Sequence, residues 1–481
     1  MLLLFSNRRQ RFAYVFFSCA KYLAVALWCL PIAAWGDQLG SDVRSSLLRQ
    51  SLHPERAADH AYTLNELLQI AQYSNPGTKE AGETAKQAGI AAQLVRSNYA
   101  PQLSIKALGG LQRTPIAIPD NVSPQGYFIS KTREVVPSLE LKWLLFDFGR
   151  RRGRENEADQ TALAAHATLL GIREKLAFDV TQSYFELSSA QGRLRAARKV
   201  LETALISEEA TSAERGHGRA TVMAVAEAKR QSSAARLAVV KASGAERTAS
   251  ADLVSIVGLP FETDIEVSDA DFVSSESASS ISVKALVDAA VHRRPDVLSA
   301  QNQVNAAQAK VDTAHAAYRP TISVSAQLFQ NAGQVSSDGS PYSSVNKPGG
   351  AVFIAVEMPL IDGGIRANDV GLAVSEKSEA EDKLDEVIDR ASAETVRAYN
   401  DLQTGMEERK EADAYADASK TAFEATLASY KRGLATYPQL ASAEAALAQA
   451  VSAQVDATSD VQIAQSALAL ATGTLKVDSQ E

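Results

Sequence analysis

Residues 138–154 read SLELKWLLFDFGRRRGR. Leu139, Leu141, Trp143 and Leu145 alternate with Ser138, Glu140, Lys142 and Leu144, the period of a strand with one apolar face. Past Phe146-Asp147-Phe148-Gly149 the alternation stops, and no proline occurs between Pro137 and Pro260. Interior proline breaks a helix, so its absence opens a window for a very long one. In that window Val180, Tyr184, Leu187, Leu194, Leu201 and Leu205 step by 4, 3, 7, 7 and 4, a heptad seam. A helix over 150–215 runs about 100 Å at the usual rise per residue. The junction of a half-apolar strand with a helix of that length decides the fold.

Working outward, the same plan occurs twice. Asn75-Pro76 is echoed by Arg294-Pro295, and Tyr99-Ala100-Pro101 by Tyr318-Arg319-Pro320, both at a shift of 219. Phe146-Asp147-Phe148-Gly149 returns as Ile361-Asp362-Gly363-Gly364 at 215, and so do Tyr184 as Tyr399 and Gly258 as Gly473. Gly218-Arg219-Ala220-Thr221 returns as Gly433-Leu434-Ala435-Thr436. The first repeat is placed at 63–259 and the second at 283–473, with a Ser-rich linker over 260–282 and a tail over 474–481. Alternation predicts strands near 102–110, 136–146, 321–329 and 351–360, joined by loops over 112–134 and 331–350. Long helices are predicted over 150–215 and 365–432, with return helices over 221–257 and 437–472. Ala443, Ala450, Ala457, Ala464 and Ala471 keep a seven-residue register, repeated as Ala228, Ala235, Ala242 and Ala249, which implies closely packed supercoiled helices.

The 481 residues carry 49 Lys plus Arg against 57 Asp plus Glu. That balance excludes a broadly basic nucleic-acid binder. Arg8, Arg9, Arg11 and Lys21 precede an apolar run from Tyr22 to Ala34, so residues 1–36 read as a secretory signal peptide cleaved after Gly36. Both cysteines, Cys19 and Cys29, fall inside it, leaving a mature chain with no disulfide or thiolate chemistry. The six histidines show no metal-binding spacing, the glycines form no phosphate loop, and no nucleophile–base set appears. No enzyme, cofactor or metal is expected. His217 reads as a polar turn residue, and the run Arg150, Arg151, Arg152 and Arg154 as a solvated helix start, with contact to anionic lipid second.

Four strands with one apolar face fit a membrane barrel or two hairpins packed on the helices, and alternation leaves both open. The secretory signal and the otherwise uncovered apolar face favour the barrel. About eight strands are the practical minimum for closure, so several chains must share one.

Taken together, the duplicated plan, Leu145-Phe146-Asp147-Phe148-Gly149 at the junction and Gly433-Leu434-Ala435-Thr436 at the hairpin tip resemble the TolC-like outer-membrane channel family. The resemblance implies a mainly α protein with a membrane β-barrel: a homotrimer giving four strands per chain to twelve, above a periplasmic coiled-coil tunnel. It implies an outer-membrane exit duct in a tripartite system, with a periplasmic adaptor (membrane fusion) protein and an RND-type or ABC-type inner-membrane pump as partners. Residues 37–62 become an N-terminal periplasmic segment. The tips Gly218, Arg219, Ala220, Thr221, Gly433, Leu434, Ala435 and Thr436 become the adaptor-docking surface. Trp143, Phe146 and Phe148 lie where aromatics meet outer-membrane lipid, although core burial fits them equally. At the periplasmic entrance Tyr430 matches the family pattern, whereas its two acidic positions carry Gln439 and Ser442. Glu444 is expected to face solvent, with a displaced acidic ring as the alternative. Small-molecule efflux is the expected activity, with type I protein secretion and a periplasmic coiled-coil scaffold as alternatives.

Overall fold

The computed structural model describes residues 61–119, 125–218, 220–263, 265–268 and 282–475. The signal peptide, most of the 37–62 segment and the 260–282 linker, Arg219 and the end of the tail lie outside the described residues. The first repeat runs α1 (Leu64–Ser74), α2 (Pro76–Arg96), β1 (Gln102–Ala117), β2 (Tyr127–Phe146), α3 (Arg150–Gly216) and α4 (Val222–Val257). The second runs α5 (Val283–Arg293), α6 (Pro295–Ala316), β3 (Thr321–Ser337), β4 (Ser343–Glu357), α7 (Ile365–Lys431) and α8 (Tyr437–Ala471). Both long helices have 67 residues.

The X-Pro pairs make the kinks between short helices. Asn75 ends α1 and caps α2, its Oδ1 accepting from Gly77 N at 2.8 Å and Thr78 N at 3.3 Å. Proline at the first helical position loses no hydrogen bond there. Asn75 Nδ2 also donates to Ile256 O at 3.0 Å, and Arg294 donates to Ala471 O at 3.4 Å. Ile256 and Ala471 are 215 apart, so each repeat latches its kink to the end of its return helix. Gly258 (φ 79°) and Gly473 (φ 64°) close those helices so tightly that an added Cβ would lie 3.3 Å from Ser74 C and 3.0 Å from Arg293 C.

The helical core follows the predicted seams. Val180, Tyr184 and Leu187 are buried on α3, packed with Leu67, Leu253 and Val257; Leu194 is buried further along, while Leu205, nearer the tip, is exposed. Leu440, Ala450, Ala457, Val461, Leu468 and Ala471 are buried along α8. Gln454 interrupts that register because its Nε2 donates to Asp413 Oδ1 at 2.9 Å on α7.

The strands are longer than their alternation predicts. They span 16, 20, 17 and 15 residues in one antiparallel sheet of order β1-β2-β3-β4. Most of 112–134 and 331–350, expected as loops, is strand. Hydrogen bonding continues there after the apolar alternation fades, so composition hid the extension. β4 ends at Glu357, short of the expected 360, where Pro359 follows. Pro137 offers no N–H, and the β2–β3 ladder skips residues 136 and 137.

Candidate functional site

The sheet's two faces differ in kind. Ile105, Leu139 and Leu328 share one rung, Leu103, Leu141, Ala326 and Val352 the next, and Trp143, Val324 and Ile354 the one after. On the opposite face, Ser104, Glu140 and Gln327 share a rung, and so do Gln102, Lys142 and Ser325. There Glu140 pairs with Lys106 and, at 3.2 Å, with Lys142. Leu103, Ile105, Val352, Ile354 and Val356 are all exposed. The apolar face needs a lipid cover, and the polar face suits water. β1 and β4 remain open edges, which exposed sheets seldom tolerate.

A β-bulge at Leu145 ends the sheet and sets Phe146 opposite Ile322, on the same face as Trp143. Trp143, Phe146 and Phe148 are exposed, and Trp143 Nε1 donates to Tyr99 O at 3.0 Å. Immediately beyond, Asp147 Oδ2 accepts from Arg151 N at 2.8 Å and Arg151 Nε at 3.1 Å, with both residues buried. Arg151 also donates to Leu145 O at 2.9 Å and Asn98 O at 3.4 Å, and lies 4.6 Å over the Tyr99 ring. The solvated reading of this basic run therefore fails at Arg151, which locks strand to helix. Its i, i+4 spacing from Asp147 puts it on the inner side of the first helical turn. Asp362, Arg366, Pro359 O and Tyr318 repeat the arrangement. Sequence reading missed this lock, although Asp147/Asp362 and Arg151/Arg366 keep the 215 shift.

At the far end of the helices, Gly218 and Gly433 both adopt φ 74°, a conformation that suits glycine. Gly433 N donates to Tyr430 O and Leu434 N to Ser429 O, each at 2.9 Å. Thr221 caps α4 by accepting from Ala224 N at 3.1 Å. Thr436 and Gln439 form a capping box, with Thr436 N donating to Gln439 Oε1 at 2.8 Å. Ala220 and Ala435 are half-buried, while Val222 and Met223 after the first tip and Leu434 at the second are exposed. Gln439 and Ser442 are exposed.

Glu444 is not solvent-facing as expected: it is 4% exposed. Spacings of four and three put Tyr437, Ala441 and Glu444 on one face of α8, and Tyr437 and Ala441 pack with Ala228 of α4 and Tyr430 of α7. Burial pushes the Glu444 carboxyl up to about 7. Neither its Oε1 nor the Tyr437 hydroxyl has a hydrogen-bond partner. Tyr437 gave no sequence signal because its counterpart at 215 is Val222. His217 caps the C-terminus of α3, and no group of metal ligands occurs among the described residues. Nor does any helix among them have the length and apolarity to cross a membrane.

Comparison with known proteins agrees with this geometry. Protein CyaE of Bordetella pertussis is 26% identical over 71% of this chain and 69% of its own length. Outer membrane protein OprJ of Pseudomonas aeruginosa is 24% identical over 77% and 75%. The crystal structure of the outer membrane protein VceC from Vibrio cholerae superposes with a TM-score of 0.68 at 20% identity, covering 85% of this chain and 96% of that one. The family model described as outer membrane efflux protein matches residues 67–259 and 286–474, the two repeats in turn. The chain belongs to the outer membrane efflux protein family.

Proposed function

We propose that this protein is the passive exit duct of a tripartite efflux system. Three copies close a twelve-stranded barrel, and their long helices carry small molecules across the periplasm from an adaptor and inner-membrane pump. The single observation that carries the reading is the four-stranded sheet with two open edges, apolar on one face and polar on the other, joined to two 67-residue helices. Three such sheets exceed the number needed for closure and leave no edge. A periplasmic scaffold would leave that apolar face in water.

In the barrel, Leu141 and Ile354 face lipid. Leu141→Arg or Ile354→Arg therefore lowers barrel stability by about 2–4 kcal/mol at mid-bilayer depth. The measurement is recovery of trimers in the outer-membrane fraction, and folded monomers soluble without detergent would defeat the proposal.

The tips then dock the adaptor through Gly218, Ala220, Thr221, Gly433, Leu434, Ala435 and Thr436, together with Arg219, which lies outside the described residues. Tyr430, Gln439 and Ser442 stand beside the periplasmic entrance, and Trp143, Phe146 and Phe148 mark the membrane boundary. Ala435→Trp abolishes export of a dye substrate while leaving membrane trimers intact. Cysteine placed at Leu434 crosslinks to the adaptor. Crosslinks obtained only from the turns between β1 and β2 or β3 and β4 would invert the orientation.

A further inference from the structure

On β1 and β2 the apolar run of the outward face is broken by cations before Pro115 and Ile129 follow. On β2 it runs from Phe146 through Trp143, Leu141 and Leu139 to Val135, a span of roughly 25 Å for a strand tilted as in membrane barrels. On β1 it runs from Leu103 to Leu111. On β1 and β2 the next residues on that face are cationic. Leu111 stands opposite Arg133, and Arg113 directly opposite Lys131. All three cations are exposed.

Among the described residues, the ladder places no acid opposite these cations. Their β3 neighbours are Gln334, opposite Arg133, and Ser336, opposite Lys131. The nearby Asp338 carboxylate accepts from Ile129 N at 2.8 Å. Among the described residues none of the three cations has a carboxylate partner; Arg133 instead lies 4.4 Å over the Tyr342 ring. Like charges directly opposite across a ladder repel, so the Arg113–Lys131 rung is unfavourable until an anion joins it. The rung lies two residues past Leu111 on β1 and four past Val135 on β2, at headgroup depth. In the basic run at the other end of β2, Arg151 is buried against Asp147, while Arg150, Arg152 and Arg154 are exposed on the first turns of α3 rather than on the sheet.

We propose that Arg113, Lys131 and Arg133 form a binding site for the phosphate groups of the outer-leaflet lipid, one site per protomer. The site is a lipid anchor on the barrel wall, separate from the conducted substrate. It rests on the membrane-barrel reading, which extraction of the trimer from the outer-membrane fraction checks separately.

The test is native mass spectrometry of the detergent-solubilised full-length trimer titrated with diphosphoryl lipid A, with phosphatidylethanolamine as zwitterionic control and inorganic phosphate as competitor. Each surface cation adds about five-fold to binding of an anionic lipid, so Arg113→Gln/Lys131→Gln/Arg133→Gln weakens retention on the order of a hundred-fold. Lys106→Gln/Lys347→Gln, on the opposite face, leaves retention unchanged. Should the triple variant fail to assemble, Lys131→Gln alone shows the loss at about five-fold. Undiminished retention overturns the proposal. So does equal loss in the opposite-face variant, or displacement of the lipid by equimolar inorganic phosphate.

Discussion

Asp147→Ala is expected to destabilise the protein by about 3–5 kcal/mol, because it leaves the Arg151 guanidinium buried without its anion. The Asp147 and Arg151 side chains are only 8% and 9% exposed, so water cannot replace the lost partner. Arg151 also holds Leu145 O and Asn98 O, so the substitution loosens the bulge and the end of α2 together. Asp362→Ala is expected to cost less. Its pair is 22% and 12% exposed, and solvent can reach the orphaned Arg366. The measurement is the denaturant needed to dissociate purified trimers, with Arg151→Met and the double variant completing a cycle. Asp147→Leu/Arg151→Met should recover part of the loss, since an apolar pair carries no uncompensated charge. Equal effects of Asp147→Ala and Asp362→Ala would show that burial does not set the strength of the lock.

The legible parts of the molecule were those written periodically. Heptads along Val180–Leu194 and Leu440–Leu468 report packing directly, because each seam residue meets a neighbouring helix. Alternation found each strand only where lipid demands an apolar residue at every second position. Beyond that band Arg113, Lys131 and Gln334 occupy the outward positions. The backbone ladder persists there without a compositional mark. The Asp147–Arg151 lock was present in the 215 shift but looked like part of a basic run, since a charge pattern does not say which member of four arginines turns inward. Glu444 failed for a related reason. A carboxylate in an alanine-rich heptad reads as solvent-facing on its chemistry, and only its four- and three-residue steps from Tyr437 and Ala441 place it in the interface.

Glu444 is also where pH should act on the periplasmic tip. In the folded protein burial raises its carboxyl from 4.5 to about 7, whereas the unfolded or opened chain titrates near the ordinary value. Between those two values the packed state holds a proton that the opened state has lost. Stability of the α4–α8 packing therefore falls as pH rises from about 4.5 to 7 and is flat above. A shift of this size corresponds to about 3 kcal/mol. The groups around it do not offset the effect. Tyr437, raised to about 12 by burial and by the Glu444 charge, stays neutral throughout. Glu227 is held by Arg230, Ala228 and Ala441 carry no charge, and Tyr430 meets Tyr437 ring to edge at 6.2 Å. Amide exchange in α8 near Tyr437, corrected for the intrinsic pH dependence, should be on the order of a hundred-fold faster at pH 8 than at pH 4.5, the same free energy read as local opening. Glu444→Gln should abolish that dependence while keeping the side chain's size. Conductance of reconstituted trimers should follow the same curve, with the tip more open at alkaline pH. If Glu444→Gln retains the wild-type pH profile, the titrating group lies elsewhere and the buried carboxyl does not control the tip.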